Sequence, residues 1–366
     1  MAGVERERVL AFRVARQGLA ERRDLTLAEA AACPASDYAR GWALLALAAR
    51  ARDVTRAAYD AATDAGELVV GFSLRAAIHA VAPEDVALYG HALLAGDPHE
   101  LGEQLGPGAQ RHLAEEGIAP TDALEEVAEA TAGALARGRA LTKDELHEEL
   151  RGRVRGELLP WCKGCGSHHV APMLWRFAGV RAGVRCDARR RFLLGAPGPT
   201  PVTAEAARRF LRFYGPSTPT HFAAWGGLAR AHARRVWGEV EGELAEVRLD
   251  GRRTFLLVED EEALRSPPVA TGARLLPPRD PYAQQPDRAT LVPDPEVRKR
   301  LFRPIANPGA VLEDGRLVAL WRSRVRGARL EVDVEPLERV DRHALEGEAA
   351  RVAEVRGLAR ADVRWS

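Results

Sequence analysis

Apolar residues in the first 140 positions recur mostly at the spacing of amphipathic helices. The pattern predicts helices over 4–19, 38–51 and 55–65, a strand over 67–74, and a helix that begins at Pro83. Residues 96–122 are rich in Gly, Pro and His and show only weak periodicity. The first part of the chain is therefore predicted to be mainly helical.

A second helical unit is predicted to begin at Thr142. Thr142 is followed three residues later by Glu145, the pattern of a helix capping box. The Gly- and Pro-rich residues 195–201 are typical of a linker, and a third helical unit is predicted from Thr203.

The third unit has the outline of a winged helix. The predicted elements are a helix over 203–214, a short helix that ends near Trp225, a longer helix over 228–244, and a hairpin that turns at Asp250-Gly251. In such modules one helix enters a DNA groove and the hairpin lies beside the phosphates. The alternative is a helical hairpin on a sheet that carries ordinary surface arginines.

The pattern changes to strands near the end of the chain. Asp314-Gly315 predicts a hairpin turn, residues 329–334 alternate as a strand, and residues 341–358 are helical. The predicted fold class is α+β, with tandem winged-helix modules and a C-terminal β-rich domain. The predicted domains are 1–140 (a first module with a helical insertion), 141–198 (a second module), 199–265 (a third module) and 266–366 (the β-rich domain with a terminal helix).

Charge is distributed unevenly along the 366 residues. The net charge is only +1. Counted separately, residues 1–150 carry −10, residues 151–235 carry +13 and residues 236–366 carry −2. Such a basic segment favours an anionic partner, and a polyphosphate fits best. Pairing with the acidic first third, or with an acidic protein, is the alternative.

Ten arginines in and after this basic segment are the candidate DNA contacts. They are Arg185, Arg189, Arg190, Arg191, Arg230, Arg234, Arg235, Arg248, Arg252 and Arg253. A solvated run of surface charge is the alternative interpretation.

Four cysteines in a chain of this length do not form a disulfide framework, so a reduced, cytoplasmic setting is predicted. No apolar run approaches the roughly 18 residues of a membrane span, and residues 1–10 do not resemble a signal peptide. We therefore predict no membrane partner.

Cys162, Cys165, His168 and His169 are candidate zinc ligands, and Cys186 or His147 could replace one of them. All four lie within eight residues, whereas zinc ribbons and fingers place their second ligand pair further away. We therefore expect no zinc and no other cofactor.

Three segments resemble the AlkZ-like winged-helix superfamily, which includes DNA glycosylases that release alkylated bases and unhook interstrand crosslinks. They are FYGPSTPTHFAAW at 213–225, LLPPRDPY at 275–282 and VLEDGRLVALWR at 311–322. The resemblance implies tandem winged helices in a concave arrangement. It also implies that Arg75 and His79 face the DNA cleft.

The chain departs from that family at the catalytic motif. The family's glycosylases carry Gln-x-Gln or Gln-x-Asp to hold the catalytic water, whereas residues 32–37 here read ACPASD. Ser36 or Asp37 could orient or deprotonate a water. Asp37 could equally cap the helix predicted near Tyr38.

These features together predict a monomeric protein that binds duplex DNA, damaged or undamaged, with little or no glycosylase activity. The alternative is a DNA glycosylase with an altered catalytic motif that cleaves the N-glycosidic bond of alkylated or crosslinked bases. A second alternative is a protein–protein interaction module.

Overall fold

A computed structural model describes residues 3–196, 202–303 and 305–366. Helices make up about half of the chain up to residue 240. The α-helices of the described residues are α1 (Arg6–Arg16), α2 (Leu27–Ala30), α3 (Trp42–Ala48), α4 (Arg56–Ala65), α5 (Val86–Tyr89), α6 (Pro98–Leu105), α7 (Pro107–Glu115), α8 (Pro120–Leu135), α9 (Lys143–Arg151), α10 (Pro172–Arg181), α11 (Thr203–Tyr214), α12 (Pro219–Gly226), α13 (Arg230–Gly238), α14 (Glu261–Arg265), α15 (Arg288–Leu291), α16 (Pro295–Leu301) and α17 (Arg342–Val355).

Strands are short in the first half of the chain and longer near its end. Those of the described residues are β1 (Gly3–Val4), β2 (Ala35–Ser36), β3 (Val69–Phe72), β4 (Ile78–Val81), β5 (Trp161–Cys162), β6 (Ser167–His168), β7 (Val184–Cys186), β8 (Phe192–Leu194), β9 (Leu244–Leu249), β10 (Arg252–Leu257), β11 (Ala273–Leu276), β12 (Gly309–Glu313), β13 (Arg316–Arg326), β14 (Arg329–Pro336) and β15 (Arg360–Trp365).

The chain forms two compact units. Unit 1 comprises the described parts of Met1–Tyr59, Arg208–His221 and Glu241–Ser366. Unit 2 comprises the described parts of Asp60–Ala207 and Phe222–Val240. The division into four sequence domains remains a prediction.

A five-stranded sheet of order β11-β12-β13-β14-β15 forms the centre of unit 1. Neighbouring strands are antiparallel except β14 and β15, which are parallel and therefore need a crossover connection. Helix α17 is that crossover, and it packs on β11 and β15. Leu345, Ala349 and Val352 recur at helical spacing and are buried.

Two hairpins of unit 1 turn where the sequence predicts. Asp314 and Gly315 both have positive φ, 49° and 78°, between β12 and β13. Asp250 and Gly251, at 50° and 75°, connect β9 to β10 in the same way. Positive φ at both central residues is the requirement of a type I′ turn, which explains the Asp-Gly pair.

Arg13 is a fully buried cation of unit 1. Its Nε donates to the carbonyl of Gly215 at 3.1 Å, and Nη2 donates to that of Pro216 at 2.9 Å. Its Nη1 contacts Gln285 Oε1 at 2.6 Å and Asp287 Oδ2 at 2.8 Å. One guanidinium therefore connects three segments that are far apart in sequence.

Unit 2 contains the antiparallel strands β4, β3, β7 and β8 as neighbours in that order. Helix α10 packs on α8 and on β3. Phe72, Trp175 and Phe192 form an aromatic cluster with ring centroids 5.2–5.6 Å apart. Gly179 permits the close approach, since a Cβ there would lie 2.5 Å from Phe72.

Several element bounds differ from the sequence-based expectation. The helix predicted from residue 38 begins at Trp42, and the one predicted over 228–244 is α13, which ends at Gly238. Strand β15 was not predicted, and residues 96–122 contain α6, α7 and the start of α8. Of the predicted linker, residues 197–201 lie outside the described residues.

Across the described ranges, every helix is too short or too polar to cross a membrane.

Candidate active site and DNA-binding residues

Ser36 and Asp37 lie at the end of the two-residue strand β2, and both are buried. Asp37 Oδ1 accepts the backbone N–H of Gly41 at 2.9 Å and of Ala43 at 3.0 Å. Those two groups lie at the start of α3, whose N-cap residue is Gly41, so Asp37 is not the N-cap that the sequence offered as its alternative. It accepts N–H groups of that helix start from four residues before the N-cap. Its catalytic role remains a prediction.

Cys33, three residues before Ser36, belongs to a buried polar cluster. Cys33 Sγ lies 3.5 Å from the Tyr214 hydroxyl, which donates to the carbonyl of Pro281 at 3.1 Å. Burial raises the pKa of the Cys33 thiol to about 12, so this cysteine is a neutral packing group. Arg50 forms two 2.9 Å bonds to Asp280 beside it.

Gln17 also has a structural role. Its Nε2 donates to the carbonyl of Phe213 at 3.2 Å in the buried part of unit 1. Gln17 therefore connects the end of α1 to α11.

Arg75 occupies a strained turn between β3 and β4. Its φ is 54°, in the left-handed region that favours glycine, and Ala76 follows at 50°. Arg75 Nη1 donates to the carbonyl of Trp225 at 2.7 Å. Its stem lies against Gly227, where a Cβ would come within 2.9 Å of Arg75 Cγ. The structure thus holds the Arg75 side chain in one place within unit 2.

His79 lies on β4 below the surface. Its Nδ1 is 3.1 Å from the Ser73 hydroxyl and 3.1 Å from the carbonyl of Ala77. Burial, together with the charge of Arg75, lowers the pKa of His79 to about 3. His79 is therefore neutral at physiological pH, and it supports the turn without adding positive charge.

The arginines around 185–191 are mostly engaged within unit 2. Asp187 accepts the backbone N–H of Arg189 and of Arg191, and its Oδ2 lies 2.7 Å from Arg191 Nε. Arg185 Nη1 donates to the carbonyl of Thr63 at 3.1 Å. Arg190 is half-buried, whereas Arg189 is exposed at the turn.

Helix α13 carries three exposed arginines. Arg235 forms a bidentate pair with Glu100, with both N–O distances at 2.6 Å. Arg230 and Arg234 are one helical turn apart, and no carboxylate of the described residues pairs with either. These two guanidinium groups are available to phosphate.

The hairpin of β9 and β10 contributes the remaining candidates in unit 1. Arg253 pairs with Glu246 at 2.7 Å and lies over the Phe255 ring. Arg248 reaches the carbonyl of Gly251 at 3.4 Å, and Arg252 is exposed.

A cleft of about 930 Å³ lies beside this hairpin. Arg252 and Arg253 line it together with Arg298 and Lys299 of α16. Sequence reasoning missed the α16 cations, although the basic run at 298–300 was a signal for them.

Three of the four candidate zinc ligands come together. The ligand atoms of Cys162, Cys165 and His169 all lie within 4.8 Å of one another. His168 is exposed, and its Nδ1 lies 2.8 Å from the carbonyl of Leu159. Cys186, a suggested replacement, is buried in strand β7.

The chain is similar to known DNA glycosylases over nearly its whole length. A family model described as AlkZ-like DNA glycosylase matches residues 6–355. The interstrand DNA cross-link repair glycosylase of Streptomyces sahachiroi is 32% identical over 321 residues, covering 81% of each chain. The solved structure of Streptomyces sahachiroi DNA glycosylase AlkZ aligns with a TM-score of 0.78 at 26% identity, covering 100% of both chains.

These matches confirm the α+β fold class and the resemblance seen in the sequence. The tandem winged-helix arrangement remains a prediction. The matches support the glycosylase alternative better than a protein that only binds DNA. The chain belongs to the AlkZ-like DNA glycosylase family.

Proposed function

We propose that this protein is a DNA glycosylase that hydrolyses the N-glycosidic bond of alkylated or crosslinked purines in duplex DNA. The observation that carries the proposal is the 32% identity to a cross-link repair glycosylase over 81% of both chains. In this reaction water adds to C1′ of the sugar, the base leaves, and an abasic site remains in the DNA.

Alkylation at N7 of guanine makes the reaction less demanding for the protein. The alkylated base is a cation, and it becomes neutral as its bond to the sugar breaks. The leaving group therefore needs little protonation, and the main task of the site is to hold a water on the correct face of the sugar. A hydroxyl can perform that task even where both glutamines are missing.

We assign the water-holding role to Ser36 rather than to Asp37. Asp37 Oδ1 already accepts two backbone hydrogen bonds at the start of α3. Those bonds hold the carboxylate against the start of α3 and engage one of its oxygens. Ser36 precedes it in β2 and has a hydroxyl that can both accept from and donate to water.

DNA is held by cations that the protein does not pair internally. Arg230 and Arg234 are the clearest of these in unit 2, and Arg252 is exposed at the cleft of unit 1. Contacts of this kind give affinity without sequence preference, as a repair enzyme needs. A partner protein would have to compete with unrelated duplex DNA for the same arginines.

Single-turnover base release tests the proposal. The substrates are a duplex with one 7-methylguanine and a duplex with one interstrand crosslink, and alkali converts the abasic product into a strand break. We expect release by the unaltered chain, and Ser36→Ala should slow it roughly 10- to 100-fold. The matched control is Ser266→Ala, which removes an exposed hydroxyl elsewhere and should leave the rate unchanged.

Asp37→Asn separates support from chemistry. The amide oxygen can still accept from Gly41 and Ala43, so the rate should remain within about threefold while stability falls by about 1 kcal/mol. A fall in rate well beyond threefold, in a variant whose stability falls by no more than about 1 kcal/mol, would make Asp37 the base. Absence of release with tight binding to the same duplex would overturn the glycosylase proposal and leave a DNA-binding protein.

A further inference from the structure

The hairpin of β5 and β6 is a feature that base release does not explain. Each strand has only two residues, and Trp161 on it is 56% exposed. Isolated two-stranded hairpins are marginally stable in water at best. An additional interaction is therefore needed to keep this segment in one conformation.

The cluster of Cys162, Cys165 and His169 lies on and beside this hairpin. The backbone folds tightly between the cysteines, because the carbonyl of Cys162 accepts the N–H of Cys165 at 3.2 Å and of Gly166 at 2.9 Å. Gly166 has a φ of 61°, which closes the turn. The turn places both sulfurs near the imidazole of His169.

Two imidazole nitrogens beside the cluster are buried. Neither Nε2 of His169 nor Nε2 of His147 has a hydrogen-bond partner among the described residues. The two rings pack edge to face with centroids 5.4 Å apart. A buried polar atom without a partner is costly, and an unseen ion is one of its ordinary explanations.

The orientation of His169 fits metal binding. Its Nδ1 lies 2.8 Å from the carbonyl of Val170, so Nδ1 carries the proton and donates it there. Nε2 then carries the lone pair, and it is the ring nitrogen left free to bind a metal. Metal-binding histidines are commonly fixed by this arrangement.

We propose that Cys162, Cys165 and His169 bind one Zn²⁺ ion, with His147 of α9 as the fourth ligand. Two sulfurs and two imidazole nitrogens form a ligand set that zinc takes in structural sites. Both thiols lose their protons to solvent on binding, so the site as a whole has no net charge. The ion connects the hairpin to α9.

The zinc site proposed here departs from the expectation, drawn from the sequence, that the protein binds no zinc. That expectation rested on four ligands within eight residues. The structure brings together only three residues of that stretch, because His168 bonds elsewhere. The ring of His147, on a separate helix, lies beside that of His169, and the proposal takes the fourth ligand from there.

Metal content of the purified chain tests the proposal. The protein is produced without a histidine tag, kept reduced, supplied with one equivalent of Zn²⁺ and separated from free ion by gel filtration. We expect one zinc per chain by elemental analysis, and thiolate-to-metal charge-transfer bands when Co²⁺ replaces it. A reduced, folded chain that retains no zinc would overturn the proposal.

Neighbouring histidines provide the matched variants. His169→Gln should lose the ion, whereas His168→Gln should retain it, and circular dichroism checks that both variants are folded. Equal loss in both variants would show that the binding is adventitious and would overturn the site. His147→Gln should weaken zinc affinity roughly tenfold or more against a competing chelator. Unchanged affinity would overturn the assignment of His147.

Discussion

Arg153 and Arg234 both lie in the basic third of the chain, but their surroundings differ. Arg153 contacts Glu149 at 2.7 Å. In the same basic third, Arg155 contacts Glu126 at 2.6 Å and Arg181 contacts Glu125 at 2.7 Å. Arg234 and Arg230 on α13 have no such partner among the described residues. The acidic first third thus neutralises one part of the basic segment and leaves another part open.

The comparison shows that net charge and available charge are different quantities. The +13 of residues 151–235 favours an anionic partner. Which arginines contact that partner depends on the carboxylates that fold against them. A paired guanidinium must first give up its carboxylate, which reduces the gain from binding phosphate.

Removing the open arginines should have the largest effect. Arg230→Ala with Arg234→Ala should weaken binding to every duplex, and the slope of log affinity against log salt should become shallower by about 1.8, from about 0.9 per phosphate contact. Fluorescence anisotropy at several salt concentrations measures both.

The matched control is Arg151→Ala with Arg153→Ala, which removes the same charge from the paired group. These arginines pair with Glu148 and Glu149, so the slope should change by much less. Equal slopes of log affinity against log salt for the two double variants would show that the open and the paired arginines do not differ in DNA binding.

Releasing a paired arginine should have a smaller effect of opposite sign. Glu100→Gln removes the carboxylate that holds Arg235, whose side chain is 61% exposed. DNA affinity should rise about two- to fivefold, the range of an exposed ion pair, and the salt slope should become steeper. Glu103→Gln, on the same helix α6 and without an arginine partner, is the control. An equal rise in DNA affinity for Glu103→Gln would mean that the loss of one negative charge, and not the release of Arg235, causes the rise.

The smallest expected effect is that of acidification on the affinity gain of Glu100→Gln. The hydrogen bond from Arg235 lowers the pKa of Glu100, so the carboxylate stays ionised below the pH at which an ordinary glutamate protonates. The affinity ratio of Glu100→Gln to the unaltered chain should therefore be nearly the same at about pH 7.5 and at about pH 4.5, where an ordinary glutamate is roughly half protonated. A ratio that approaches one at the lower pH would mean that the pair is weaker than its geometry indicates.

Much of the fold could be predicted where local chemistry decides the structure. Thr142 and Glu145 form the expected capping box, and the Asp-Gly pairs at 250 and 314 form the expected turns. Strand β15 was missed because its charged residues alternate at a sheet edge, where pairing with β14 decides the conformation. The end of α13 at Gly238 was missed because the apolar spacing continues through Val240 into β9.

The candidate site was harder to predict, since its contacts join residues far apart in sequence. Arg235 and Glu100 are 135 positions apart, and nothing in either local sequence indicates the pair. The burial of His79 likewise depends on the sheet around it. Residue type identified the candidates, but only the fold separates the open cations from the paired ones.

The buried guanidinium of Arg13 has a consequence for synthesis on the ribosome. Its partner Gln285 follows 272 residues later, which at about 5–20 residues per second corresponds to a delay of roughly 15–55 s. Until residue 216 is made, the guanidinium on the first helix of unit 1 lacks all of its acceptors, and until residues 285 and 287 follow it lacks the amide and the carboxylate. The segments of unit 2 are complete by residue 240 and can fold first. Nascent chains that stop before residue 285 should therefore protect unit 2 from protease while α1 remains open to cleavage.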